Sequence, residues 1–199
     1  MAPTLPADLT VNTYGDDAYL GVVGSEMAYI RPRGSPVGLS FSELNLRTYA
    51  DGPAGPGAYF LSLDADDPLG VSVARSFFEL PYYRAQMTDS REGERRLFRS
   101  NRVHMGAPTA SFEATYEPTG TPSEAEVRSL DAFLTERYHF YVADDDGQTY
   151  VSAIEHPPWQ LQEMDLKIRR NDLFTLKDFE RPEREPDLLC SPEVNLIAK

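Results

Sequence analysis

"SFSELNLRTY" (Ser40–Tyr49) and "AYFLSLD" (Ala58–Asp64) lie either side of "ADGPAGPG", and the alternation within them decides the fold. Leu44 and Leu46 alternate with Glu43, Asn45 and Arg47, the period-two pattern of a strand with one apolar and one polar face. Paired antiparallel across the loop, the two segments set Arg47 opposite Phe60, Asn45 opposite Ser62 and Glu43 opposite Asp64. Leu44 and Leu46 then share the other face with Leu61 and Leu63. A slip of one residue would put the leucines against serine and aspartate, so the hydrophobic match selects this parity. The polar face carries two carboxylates and a guanidinium. Neighbouring carboxylates raise one another's pKa, while an arginine lowers both and can grip a ligand carboxylate with two hydrogen bonds. Such a face lines a pocket, looks into water, or forms a buried salt-bridge network that fixes the sheet.

Working outward, Leu9–Thr13 and Ala18–Ile30 also alternate, punctuated by "YGDD" and "RPRGSP". In "DDPLGVSVARSFFEL", Asp67 can cap, Pro68 suits a first helical position, and Val71, Ala74, Phe77 and Phe78 recur at helical spacing. "YYRAQMTDS" and "RRLFRSNRV" flank Gly93 as a hairpin, followed by a strand at "SFEATYEP". "TPSE" at Thr121–Glu124 reads as a capping box opening a second helix with Val127, Leu130, Phe133 and Leu134. "YHFYVA" and "TYVSAIEH" pair across "DDDG", and the tail adds "DLKIRR", a short helix near Phe174–Phe179 and a last strand. The pattern predicts one domain over residues 1–199, mainly β in the α+β sense: a curled antiparallel sheet closing into a barrel, with two or three outer helices.

Composition narrows the partners. The chain of 199 residues has 32 acids against 19 basic residues and a formal charge of −13, which disfavours nucleic acid and anionic lipid. The arginine-rich "REGERRLFRSNR" is interleaved with Glu92 and Glu94 and reads as the solvated edge of a hairpin. Cys190 is the sole cysteine, so no internal disulfide forms, and it reads as a small hydrophobe. "MAPTLPADLT" lacks a basic and apolar leader pattern, and no run of 18 apolar residues occurs, so a soluble cytoplasmic protein is expected.

Other candidate sites are weaker. "DDDGQTYVSAIE" misses the calcium-loop spacing and reads as an acidic turn. His104, His139 and His156 have no zinc spacing, so neither a metal nor another cofactor is expected. His156, in "HPPW", either serves as an acid/base at a pocket mouth or hydrogen-bonds backbone at a strand end while Trp159 packs beneath it. Glu136 and Arg137 read as a structural ion pair.

In order along the chain, "RPRG", "GLSFSELNLRTY", "YFLSLDADDPLGVSVARSFFELPYYRAQM", "FLTERYHFYV" and "EHPPWQL" resemble the YqjF-like family of uncharacterised proteins, grouped with the acetoacetate decarboxylase-like superfamily. The resemblance implies a cone-like barrel around a small-molecule cavity, and so directs Glu43, Asn45 and Arg47 toward a pocket. Acetoacetate decarboxylases carry a Pro-Lys-Lys segment whose first lysine forms a Schiff base, the enzyme being a standard example of lysine activation. "ELPYYRA" looks like that segment with Tyr82 and Tyr83 in place of the lysines, and Arg84 alternating with Tyr82. A tyrosine forms no imine, so Schiff-base chemistry is not expected. Family members carry a further segment ahead of the part matching "LPADLTVNTYGDDAYLGVV", which would leave closure of the barrel to another element or a partner subunit.

These readings converge on a small-molecule-binding barrel in which Glu43, Asn45, Arg47, Asp64, Tyr82, Arg84 and His156 receive a small oxygenated or carboxylate ligand. The alternatives are a lyase, hydrolase or isomerase using Glu43 or Asp64 as acid/base and Arg47 as anion clamp, and a purely structural role; homo-oligomerisation is compatible with each. Lysine occurs only at positions 167, 177 and 199, and with 32 acids this suggests a protein adapted to concentrated salt, where self-repulsion is screened. The melting temperature should therefore rise from dilute buffer to molar potassium chloride; a flat profile in differential scanning fluorimetry would remove the halophilic reading.

Overall fold

The computed structural model describes residues 5–30, 39–68, 70–72, 82–144, 146–192 and 197–198. The expected turn "RPRGSP" and the helical positions Ala74, Phe77 and Phe78 lie outside these residues. Among the described residues twelve strands form one branched sheet: β1 (Thr10–Val11), β2 (Leu20–Ile30), β3 (Leu39–Gly52), β4 (Gly55–Ala65), β5 (Tyr82–Glu92), β6 (Arg95–Arg102), β7 (Ser111–Glu124), β8 (His139–Ala143), β9 (Thr149–Glu155), β10 (Gln160–Asn171), β11 (Leu189–Cys190) and β12 (Ile197–Ala198). The strand ladder runs β11-β10-β7-β6-β5-β4-β8-β9-β12, and β3 joins β4 while pairing with β1 and β2.

The mainly β class matches the expectation, but the closed barrel does not: the described sheet is open. One edge of β4 pairs along its length with β3. The other edge is divided between two strands, both parallel to it. Ala58 and Tyr59 lie beside Phe140 and Tyr141 of β8, and Leu63–Ala65 lie beside Tyr82–Arg84 of β5. A strand with three neighbours forks the sheet into two arms.

The two hairpins form as the turn residues dictate. Gly93 at φ 63° turns β5 into β6. Asp144 closes the β8–β9 turn by accepting from the N–H groups of Asp146 (3.0 Å) and Gln148 (2.8 Å), as expected of an acidic turn. Asp67 accepts from the Gly70 N–H at 3.1 Å, and residues 68 and 70–72 are helical. The other helix starts later than expected. Thr121–Glu124 continue β7, where Ser123 and Glu124 pair with Leu161 and Gln160; helix α1 (Leu130–Thr135) is capped by Ser129, whose hydroxyl accepts from the Ala132 N–H at 3.1 Å. The ladder to β10 outweighs the local capping box. The tail helix is a single 3-10 turn, Thr175–Lys177.

The expected β3–β4 register holds only in part. Arg47 does pair with Phe60, but a bulge at Leu61 then shifts the ladder, giving Leu46 opposite Ser62, Asn45 opposite Leu63, Leu44 opposite Asp64 and Glu43 opposite Ala65. Asp64 and Ser62 thus share the leucine face and not the Glu43 face. The cause is charge pairing: Arg102, at the end of β6, donates through Nε to Asp64 Oδ1 (2.8 Å) and through Nη2 to the Ser62 hydroxyl (2.5 Å), with Nη2 2.7 Å from the same Asp64 oxygen. Arg102 is buried, so it does not belong to the solvated hairpin edge. Its guanidinium lies 4.0 Å from the Tyr83 ring centroid.

Around this pair Leu44, Leu46, Leu61, Phe98, Phe112 and Leu173 form the main core, with Leu20, Val22, Phe174 and Phe179 packed against it. A smaller cluster joins Leu9, Ala50 and Tyr141; a Cβ on Gly52 would fall 2.6 Å from the Tyr141 ring, so only glycine admits it there. Breaking the buried pair by Arg102→Met or Asp64→Leu alone should cost about 3–5 kcal/mol in urea unfolding, because each leaves an unpaired buried charge. The double replacement should recover most of that loss, and additive losses would show that the two charges are not coupled.

Candidate functional site

β3 presents Glu43, Asn45, Arg47 and Tyr49 in alternation on the face opposite the main core, because Leu44, Leu46 and the bulge fix the parity. Leu63, opposite Asn45, pairs on its other side with Tyr82, and this brings the start of β5 onto the same face. The Tyr82 hydroxyl donates a very short hydrogen bond to Glu43 Oε2, and Asn45 Nδ2 donates to Oε1 at 3.1 Å. Glu43 and Asn45 are buried.

Burial pushes the Glu43 carboxyl above its ordinary value; hydrogen bonds from Tyr82 and Asn45 and the charge of Arg47 pull it back only in part. Burial and the adjacent Glu43 drive the Tyr82 phenol well up. Both groups therefore hold their protons more tightly than an exposed carboxyl or phenol would.

The far end of the face is built against α1. Arg47 Nη2 and the Tyr49 hydroxyl both donate to the Leu134 carbonyl at 3.1 Å, and Arg137 Nε donates to the Phe133 carbonyl at 2.6 Å. These bonds satisfy acceptors left open at a helix C-terminus. Three buried atoms on this face, Asn45 Oδ1, Arg47 Nε and Arg137 Nη2, have no hydrogen-bond partner. Phe60, opposite Arg47, stacks at a tilt with Phe140 at 5.6 Å.

Of the residues expected at one site, Glu43, Asn45, Arg47 and Tyr82 come together. Asp64 is separated from them by the thickness of the sheet; burial raises its carboxyl while the Arg102 charge and hydrogen bonds pull it down. Arg84 is exposed, and its N–H donates to His104 Nδ1 at 3.1 Å. His156 stacks on Tyr138 at 4.6 Å, lies 5.1 Å from Trp159 and meets its neighbour's Pro157 carbonyl at 2.8 Å. Glu136 binds the Tyr138 hydroxyl and the Trp159 N–H, so it is no ion-pair partner of Arg137. The Glu136 hydrogen bond drives the Tyr138 phenol up to about 12. Among the described residues no cluster of three His, Cys, Asp or Glu is placed to hold a metal ion, and no helix is long and apolar enough to cross a membrane.

Sequence reasoning missed Arg102 and Arg137. Phe98, Ser100 and Arg102 alternate inward on β6, a signal that the density of exposed arginines around them concealed. Nothing in the local sequence marks Arg137, whose position depends on the start of α1.

Comparison with known proteins places these features in a family. The family model DUF2071, an uncharacterised conserved protein, matches residues 1–195. The uncharacterised protein YqjF of Bacillus subtilis is 37% identical over 185 residues, covering 92% of this chain and 75% of YqjF. Acetoacetate decarboxylase from Legionella pneumophila superposes with a TM-score of 0.55 at 12% identity, covering 98% of this chain and 73% of its own. The enduracididine biosynthesis enzyme MppR, complexed with the condensation product of pyruvate and imidazole 4-carboxaldehyde, gives 0.53 at 13% identity, with 96% and 74% covered. At such identities the two structures share the fold alone.

Glu43 supplies a pH test. Its folded value lies above the ordinary 4.5, so its proton stabilises the fold fully below that pH, and the contribution is lost as pH rises through the folded value. Relative to wild type, Glu43→Gln should therefore gain stability with rising pH, by at most about 1.4 kcal/mol per pH unit. Urea unfolding at pH 4.5, 6 and 8 measures this, and a difference independent of pH would refute the raised proton affinity.

Proposed function

The chain belongs to the DUF2071 family, and from that premise we propose that it is a small-molecule-binding protein whose site is the polar face formed by Glu43, Asn45, Arg47 and Tyr82. The ligand is a small oxygenated compound or carboxylate. One observation carries the reading: the buried Glu43–Tyr82 hydrogen bond lies on the same face as buried Asn45 and Arg47 atoms that the protein leaves unpartnered. Buried polar groups are normally paired: a ligand carboxylate would accept from Arg47 Nε, and a ligand hydroxyl would donate to Asn45 Oδ1. Arg47 receives the anionic end, and the Glu43–Tyr82 pair receives the oxygen. Asp64, engaged by Arg102 on the opposite face, takes no part, and Arg84 and His156 lie outside the set.

A second reading makes the same face catalytic, as a lyase, hydrolase or isomerase without imine chemistry. Its support is the placement of Glu43, buried against the Tyr82 hydroxyl and the Asn45 amide with its proton affinity raised by burial, on the same face as Arg47 as the anion clamp. Tyr82 replaces the amine that an imine mechanism needs and can supply only a hydrogen bond. A cytoplasmic setting and a salt-adapted surface complete the proposal.

Thermal-shift titration with pyruvate, acetoacetate, acetate and benzoate tests both readings. Saturable stabilisation should weaken at least about tenfold in Arg47→Ala. Glu43→Gln should keep binding, and loss of turnover in a variant that still binds selects the catalytic reading. Absence of any shift with folded wild type and variants would make the face structural. A borohydride-trapped adduct with acetoacetate, seen by mass spectrometry, would overturn the exclusion of lysine chemistry.

A further inference from the structure

Two arginines meet at the C-terminal end of α1 without a contact ion pair among the described residues, the acids that act on them, Glu43 on Arg47 and Asp51 on Arg137, doing so only at longer range. Arg47 and Arg137 each bond a carbonyl of that helix, Leu134 and Phe133 respectively, and their guanidinium carbons lie 5.7 and 5.1 Å from the centroid of the same Tyr49 ring. Arg137 also lies 4.2 Å from the Phe133 ring, and only 8% of it is exposed. Neither arginine has a carboxylate within 4.0 Å among the described residues, although the chain carries 32 acids. Every described ion pair involves some other arginine.

Two like charges held close in a poorly solvated place are unfavourable unless an anion joins them. Among the described residues no surface carboxylate swings across to join them. Helix carbonyls and aromatic faces provide partial negative charge, but they leave Arg47 Nε and Arg137 Nη2 without acceptors. Arg137 also forms part of the wall of an open groove of about 330 Å³, shared with Tyr14, Arg128, Phe133 and Glu136.

We propose that Arg137, together with Arg47, forms a two-arginine site for a single small carboxylate, entered from the groove beside α1. This rests on the proposed small-molecule reading and deepens it: the anionic end of the ligand is gripped by two guanidinium groups, which selects carboxylates over neutral carbonyl compounds. Because the two orphaned atoms are shut off from water, binding is accompanied by a side-chain adjustment of Arg137, and the ring of Tyr49 reports it.

The test measures thermal shift and intrinsic tyrosine fluorescence on titration with acetate and pyruvate at constant ionic strength, with potassium chloride as the control. Wild type should show saturable stabilisation and a fluorescence change that chloride does not give. Arg137→Gln and Arg47→Gln should each weaken binding at least tenfold, Arg137→Lys should restore part of it, and Arg99→Gln, at an exposed ion pair away from the groove, should leave it unchanged. Binding lost in Arg47→Gln but intact in Arg137→Gln overturns the two-arginine site while leaving the proposed function standing. A response equal to that of chloride overturns both. If Arg137→Gln fails to fold, Arg137→Lys decides: carboxylate binding of wild-type strength with no fluorescence difference refutes the site.

Discussion

The Asp64–Arg102 ion pair is the constraint from which the arrangement of this sheet follows. It lies in the stretch of β4 that runs beside β5, and it joins β4 to the end of β6. To reach Arg102, Asp64 must face the leucines, so β4 takes up an extra residue at Leu61 and reverses its parity. With side-chain exposures of 3% and 1%, the pair tolerates no partial satisfaction, and Ser62 and Tyr83 complete its surroundings. Removal of Asp64 to the other face leaves Glu43 with no second carboxylate beside it. Its proton affinity is consequently set by burial, moderated by Tyr82, Asn45 and Arg47.

Much of this was legible in the sequence. Alternation located β3 and β4, the paired hairpins and the identity of the buried leucines, because those signals depend only on period and turn chemistry. The family motifs predicted the acetoacetate decarboxylase-like fold. Three features were not legible, and each is non-local. The bulge is set by an arginine 38 residues away from Asp64. The late start of α1 is set by the β7–β10 ladder, which overrides a sound capping signal at Thr121–Glu124. The fork at β4 requires parallel neighbours, and no pattern within a single strand announces parallel pairing. The candidate site was half legible for the same reason: residues on one strand were grouped correctly by parity, while those assigned from the neighbouring strand depended on a register that a single inserted residue reversed.

The electrostatic design is uneven. Exposed arginines pair with acids along the outer strands, as in Arg91–Glu94, Arg99–Glu113 and Arg170–Asp172, at sites where each pair contributes little. The interior arginines are treated in two different ways. Arg102 is neutralised by a carboxylate, whereas Arg47 and Arg137 are held by carbonyl oxygens and aromatic rings. The first arrangement suits a permanent joint. The second leaves positive potential beneath an otherwise negative surface, which concentrates field inside the fold and steers small anions more than large ones.

The junction between β4 and β8 has a mechanical meaning of its own. Only Ala58–Phe140 and Tyr59–Tyr141 register across it, whereas β3 and β4 are laced from Gly52–Gly55 to Glu43–Ala65. A seam that short is the natural crease of the molecule, and α1, which supplies the carbonyls under Arg47 and Arg137, immediately precedes β8. With so few ladder bonds to hold it, the β8–β9 hairpin should exchange its amide hydrogens with solvent sooner than the long β3–β4 seam does.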